Sequence, residues 1–178
     1  MFRKARQLDT EAELYEVAIR ALMRRAHSVS EMKKLLARRT KNDLLVQVVM
    51  ARLKESGQLD DARYAKQFVR QRKEIRRQGA YRIARDLRAR GVPDRYIQAA
   101  VEAAAGEYAG TPADESALIR HRIGRKLKSW RGEIDDRKVA SLCRSLLRAG
   151  FSADAIRREI KSLTAEEIPE LARETELG

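Results

Sequence analysis

The chain has 178 residues, 43% of them hydrophobic, and carries 39 Lys and Arg against 26 Asp and Glu, a formal charge of +13. That is enough apolar material for a core, and the positive balance points to a polyanion or an acidic protein groove as partner. With 5% aromatics, no run near the roughly 20 apolar residues of a membrane span, and Arg3, Lys4 and Arg6 leading into Asp9, Glu11 and Glu13, the base-stacking, membrane and secreted classes are disfavoured. One cysteine, Cys143, cannot form an internal disulfide, which suits a reducing cytoplasm.

Helical spacing begins at Leu14 and Ala18. A capping box from Ser28 to Glu31 opens the next helix, with Met32 and Leu36 on its apolar face. After Thr40 the dense run Leu44 to Val49 sits in helical register with Val46 and Met50, so it reads as helix. Gly57, Asp60 and Asp61 then mark a junction, the acidic pair suiting a helix N-terminus. The central stretch places Tyr64, Ala65, Phe68 and Ile75 on one stripe. Beyond Gly79 follow Ala80, Ile83, Ala84 and Leu87, then Gly91, Pro93, Ile97 and Val101. Gly91 suits the positive φ of a helix C′ position and Pro93 a helix start. Ala105 to Gly110 is the best linker candidate, and Thr111 with Pro112 the expected next helix start. Ile123, Leu127, Leu142, Leu146, Gly150, Ser152, Ile156 and Ile160 complete the pattern, and a second capping box reads from Thr164 to Glu167.

Ile83, Leu87, Gly91, Ile97 and Val101 have the spacing of Leu142, Leu146, Gly150, Ile156 and Ile160. Met32, Leu36, Thr40, Val46 and Met50 repeat it, with Thr40 where the others have Gly. A further helix precedes each pair, so the expected fold is all-α, an elongated array of three tandem three-helix repeats. The expected boundaries are 10–58, 59–105 and 113–163, with an acidic tail at 164–178. Residues 1–58 carry 13 basic and 7 acidic residues, 59–105 carry 12 and 6, 106–163 carry 13 and 8, and the tail 1 and 5.

No catalytic or metal site is expected. The chain lacks the GxxxxGK and GxGxxG phosphate loops, and His27 and His121 have no second ligand at metal spacing. Cys143 lies at an apolar helical position and reads as core. Asp60 with Asp61, and Asp135 with Asp136, stand before helices and read as caps rather than cation ligands. Trp130 reads as a ring closing a helix end against its own repeat. Arg72 follows Phe68 by four residues, on the apolar face, and is expected to reach an acid or a carbonyl. The binding expectation falls on the basic faces: Arg63, Lys66, Arg70, Lys73 and Arg77, then Arg82, Arg85 and Arg88, extended by Lys33 and Lys34 and by Arg122, Arg125 and Lys126.

Leu59-Asp60-Asp61-Ala62-Arg63-Tyr64-Ala65-Lys66-Gln67-Phe68, followed by Arg72, Gly79, Ile83, Leu87 and Gly91-Val92, closely resembles the RecX family of regulators of the bacterial RecA recombinase. The likeness extends over residues 14–163 through the three-repeat plan, the outer repeats matching mainly in apolar spacing. It implies a non-enzymatic, cofactor-free, cytoplasmic monomer that lies in the groove of the RecA–DNA filament. Such a protein inhibits ATP hydrolysis, strand exchange and co-protease activity, and so regulates recombination, DNA repair and the SOS response. The implied partner is RecA, with DNA as an additional candidate contact. Two other classes compete: a basic helical DNA-binding protein, against which the single asparagine, Asn42, and the spread of cations over several helices both count, and an adaptor for some other acidic protein.

Overall fold

The computed structural model describes residues 7–111, 114–130 and 135–162. Among them are nine α-helices and no strand, in the order α1 (Glu11–Arg24), α2 (Val29–Ala37), α3 (Asp43–Glu55), α4 (Asp61–Glu74), α5 (Ala80–Ala89), α6 (Asp94–Glu107), α7 (Glu115–Lys128), α8 (Asp136–Ala149) and α9 (Ala153–Ser162). The all-α class follows from the 3.6-residue apolar period, and local chemistry sets the helix starts. Thr10, Asn42 and Asp135 accept backbone N–H bonds at the N-termini of α1, α3 and α8, and Ser28 with Glu31 forms the expected capping box on α2. Asp60 Oδ1 accepts from the N–H groups of Ala62 and Arg63 at 2.8 and 3.0 Å, opening α4.

The repeated apolar positions are the buried ones. Met32, Leu36, Val46, Met50, Ile83, Leu87, Ile97, Leu142, Leu146 and Ile156 are all inside, while Val101 and Ile160 are half-buried. Gly91 and Gly150 have φ of +72° and +91°, the left-handed conformation that ends a helix at low cost only for glycine.

The helices gather into two compact units. The first runs up to Gln67 and takes in Asp86–Ala100; the second holds Phe68–Arg85 and continues from Val101. In the first, α1, α2 and α3 pack on one another around Leu14, Met32, Leu36, Val49 and Leu53. In the second, α7, α8 and α9 enclose Ile119, Ile123, Leu146, Phe151 and Ile156, with Cys143 and Trp130 packed against that core.

Each unit also contains a junction built on the same plan. In the first, the Ser28 hydroxyl donates to the Arg90 carbonyl at 2.6 Å, and a Cβ added to Gly91 would run into Ser30. In the second, the Gly79 N–H donates to the Ala149 carbonyl at 3.0 Å and the Tyr81 N–H to the Gly150 carbonyl at 3.1 Å. Ser28 and Gly79 both stand four residues before a repeated core position, Met32 or Ile83, and the receiving turn in each case holds the repeat's left-handed glycine.

Three expectations need correction. Ile75 is 72% exposed rather than on the core stripe, because α4 ends at Glu74 and the chain leaves helical register; Val69 is buried beside Phe68 in sequence. Ala105 to Gly110 is not a free linker: α6 continues to Glu107, and Tyr108 is buried with its hydroxyl donating to Glu74 at 2.8 Å. The helix expected from Thr111 starts at Glu115, with Asp114 at its N-cap position. Pro112, the Thr164–Glu167 box and the acidic tail lie outside the described residues.

Candidate partner-binding cations

In the first unit two acidic side chains, Asp61 and Glu31, are occupied in structure. Asp61 Oδ1 accepts from the Val29 N–H at 2.9 Å, so it caps α2 rather than its own helix. Burial makes the Asp61 carboxyl harder to ionise, pushing its pKa up despite that bond. Glu31 receives Arg25 at 2.9 Å and Arg90 at 2.7 Å. Burial opposes ionisation there too, but Arg25, the Ser28 N–H and Arg90 outweigh it and hold Glu31 below the usual carboxylate range. Tyr64 is buried close to this cluster, and burial first, then the Glu31 charge, raises its pKa.

Around this frame Lys33 and Lys34 on α2 are exposed beside buried Met32, as α2 turns only one stripe inward. Lys66 and Arg63 are exposed on α4, Arg63 donating to the Gly57 carbonyl. Arg88 is exposed and pairs with Asp94 at 2.6 Å. Lys33, Lys34 and Lys66 make no ion pair among the described residues, so their charge is displayed to solvent.

The second unit separates its cations into two kinds. Arg70 is exposed and pairs with Glu74 at 3.1 Å, and Arg85 and Arg125 are exposed. Lys126 is half-buried. Lys73, expected on the basic face, is only 7% exposed: its Nζ lies 3.5 Å from the Ala104 carbonyl and 5.2 Å from the Tyr108 ring centroid. Burial lowers its pKa, against the pull of Asp114, Glu115 and Glu107. Lys73 therefore leaves the displayed set, because α4 turns it toward α6 in its last turn. Arg72 stacks its guanidinium carbon 4.7 Å from the Phe68 ring centroid.

Arg77, Arg82 and Arg122 are half-buried and tied to backbone or to one another's turns. Arg122 Nε and Nη2 donate to the Arg77 and Arg76 carbonyls at 3.0 and 3.3 Å, Arg82 donates to the Arg148 carbonyl at 3.4 Å, and Arg77 meets His121 Nε2. Burial, then Arg77, Arg125, Arg122 and Lys128, push the His121 pKa down, and Nε2 accepts from Arg77, whose guanidinium can only donate.

Sequence reading missed the Arg77–His121 contact and the Tyr81 ring. His121 lies 44 residues from Arg77, beyond any local signal. Tyr81 is a 69% exposed ring on α5; its one legible sign is that it falls off the Ala80, Ile83, Ala84, Leu87 stripe. Among the described residues no cluster of three or more His, Cys, Asp or Glu could hold a metal ion, and no helix is long and apolar enough to cross a membrane.

Residues 60–101 match the family model described as RecX, second three-helix domain. The Regulatory protein RecX of Halorhodospira halophila is 37% identical over 142 residues, spanning 80% of this chain and 83% of that protein. The Regulatory protein RecX of Thermobifida fusca is 30% identical over 153 residues, spanning 86% and 80%. The crystal structure of RecX from Lactobacillus salivarius superposes with a TM-score of 0.72 over 86% of this chain and 96% of that one, a likeness of fold at 20% identity. The displayed cations, the three-helix repeats and these sequence matches together have one reading: the chain belongs to the RecX family of regulatory proteins.

Proposed function

We propose that this protein is a non-enzymatic modulator of the RecA recombinase. It binds in the groove of the RecA–DNA filament and inhibits the filament's ATPase, strand-exchange and co-protease activities, thereby regulating recombination and DNA repair in the cytoplasm. The observation that carries this reading is family membership at 37% identity to a regulatory RecX protein. The geometry adds the contact chemistry. Exposed Lys33, Lys34, Arg63, Lys66 and Arg88 in the first unit, and Arg70, Arg85 and Arg125 in the second, offer cations to acidic groove residues and nearby phosphates. Arg77, Arg82, Arg122 and Lys126 of the second unit are half-buried.

The test is RecA ATPase on single-stranded DNA with this protein titrated in, comparing the natural chain with the triple variant Lys33→Glu, Lys34→Glu, Lys66→Glu. Inhibition by the natural chain and weaker inhibition by the variant, at equal helical content by circular dichroism, is the expected result. Equal inhibition by a folded variant removes these three residues from the interface, and no inhibition by the natural chain removes the recombinase reading.

A further inference from the structure

Within the second unit, cations collect where no carboxylate accompanies them. Three independent pieces of geometry bring them together. Arg122 bridges the Arg76 and Arg77 carbonyls and places its guanidinium carbon 5.8 Å from the Phe151 ring centroid. Arg82 packs against Gly150, the residue before Phe151. On α7, Arg125 lies one helical turn after His121 and next to Arg122 on the same side, the spacing at which helical side chains are neighbours.

Arg77 is the most unusual member. Its φ of +49° makes it the one non-glycine among the described residues with positive φ, at the end of α4, where glycine is the usual occupant. The Gln78 N–H returns to the Arg72 carbonyl at 3.1 Å and Arg122 clasps the turn from outside, so the strained conformation is held from two sides. A cation in a conformation that costs free energy is a departure from local rules of the kind found at binding sites. The like charges act on each other as well: burial first, then Arg125, Arg82 and Arg77, hold Arg122 below the ordinary arginine range. Among the described residues no ion pair relieves Arg77, Arg82, Arg122 or Arg125.

We propose that Arg77, Arg82, Arg122 and Arg125, with His121 in contact with Arg77, form a seat for one phosphate group. Neighbouring guanidinium forks on α5, α7 and the turn after α4 suit a ligand whose acceptor oxygens do not all lie in one plane, which a tetrahedral phosphate offers and a planar carboxylate does not. The seat deepens the filament reading by naming a phosphate-binding site in the second unit, but it is a property of the isolated protein and is tested without recombinase.

The experiment is fluorescence anisotropy of a labelled oligothymidylate titrated with the full chain across a series of salt concentrations. Arg125 is exposed and makes no hydrogen bond or ion pair among the described residues, so Arg125→Gln leaves the fold intact. It is expected to weaken binding roughly tenfold and to reduce the salt slope by about 0.7, with Arg125→Lys intermediate. Lys41→Gln, an exposed cation in the first unit, controls for net charge. A parallel titration replaces chloride by inorganic phosphate at constant ionic strength: displacement of the oligonucleotide assigns the seat to free phosphate, and no displacement assigns it to the nucleic-acid backbone. Binding by Arg125→Gln equal to that of the natural chain, or a loss no greater than that of Lys41→Gln, overturns the seat. Loss of RecA inhibition with oligonucleotide binding intact would instead count against the filament reading alone.

Discussion

The backbone of Gly79 lies directly against that of Gly150, so closely that a Cβ on Gly79 would collide with the Gly150 carbonyl. The Gly79 and Tyr81 N–H groups donate to the Ala149 and Gly150 carbonyls across this approach. Gly79 is thus required by sterics, not by its φ. Gly79→Ala is expected to destabilise the protein by about 1–3 kcal/mol, the range for an overpacked site. Gly106, inside α6 with open space around its Cβ position, provides the contrast: Gly106→Ala is expected to stabilise by about 0.5–1 kcal/mol from helix propensity. Urea denaturation of both variants checks the pair, and equal effects would show that the approach is not tight in solution.

Ser28 serves two partners from one fully buried hydroxyl. It accepts from the Glu31 N–H at 3.1 Å and donates to the Arg90 carbonyl at 2.6 Å. Ser28→Ala removes a helix cap and leaves the part-buried Arg90 carbonyl without this donor, so a loss of about 1–3 kcal/mol is expected by thermal or urea unfolding. Ser28→Thr retains both bonding capacities and should recover part of it.

Tyr108 links stability to pH at the alkaline end. Burial, and then the hydrogen bond to Glu74, push its pKa up to about 12. A tyrosine that holds its proton more tightly when folded contributes stability fully below its unfolded pKa, near 10, and loses that contribution as pH rises through the folded value. The natural chain should therefore lose stability relative to Tyr108→Phe between roughly pH 10 and 12. Ultraviolet titration of tyrosinate, with urea midpoints across the same range, measures this; parallel curves for the two proteins would contradict it.

Burial also separates Lys73 from Lys66, although both are lysines of α4. The Lys73 pKa is depressed chiefly by burial, so its charge is less favourable in the native state than in the unfolded chain. Lys73→Met is expected to leave stability unchanged or raise it by about 1 kcal/mol, and to leave partner inhibition intact. Lys66→Met should leave stability within about 0.5 kcal/mol and weaken inhibition. Paired denaturation and ATPase measurements distinguish the two, and a weakened Lys73→Met would return that residue to the contact face.

Much of the fold is legible one or two helical turns at a time. The repeated apolar spacing marks the buried positions, Ser28 with Glu31 reads as a capping box and forms one, and Gly91 and Gly150 stand where a left-handed turn ends a helix. These signals are local because helix formation, capping and positive φ depend on neighbours three or four residues away.

Tertiary structure alone decides which charges reach solvent. Nothing in the spacing of α4 separates exposed Lys66 from buried Lys73, because the difference lies in α6, where the Ala104 carbonyl and Tyr108 cover one of them. Asp61 caps a helix 32 residues away at Val29, and Arg77 meets His121 across 44 residues. The sequence by itself determined an all-α, strongly basic chain with repeated three-helix spacing. The structure sorted its cations into those held in packing and those displayed to solvent, since desolvation and carbonyl pairing arise only where distant segments close on one another.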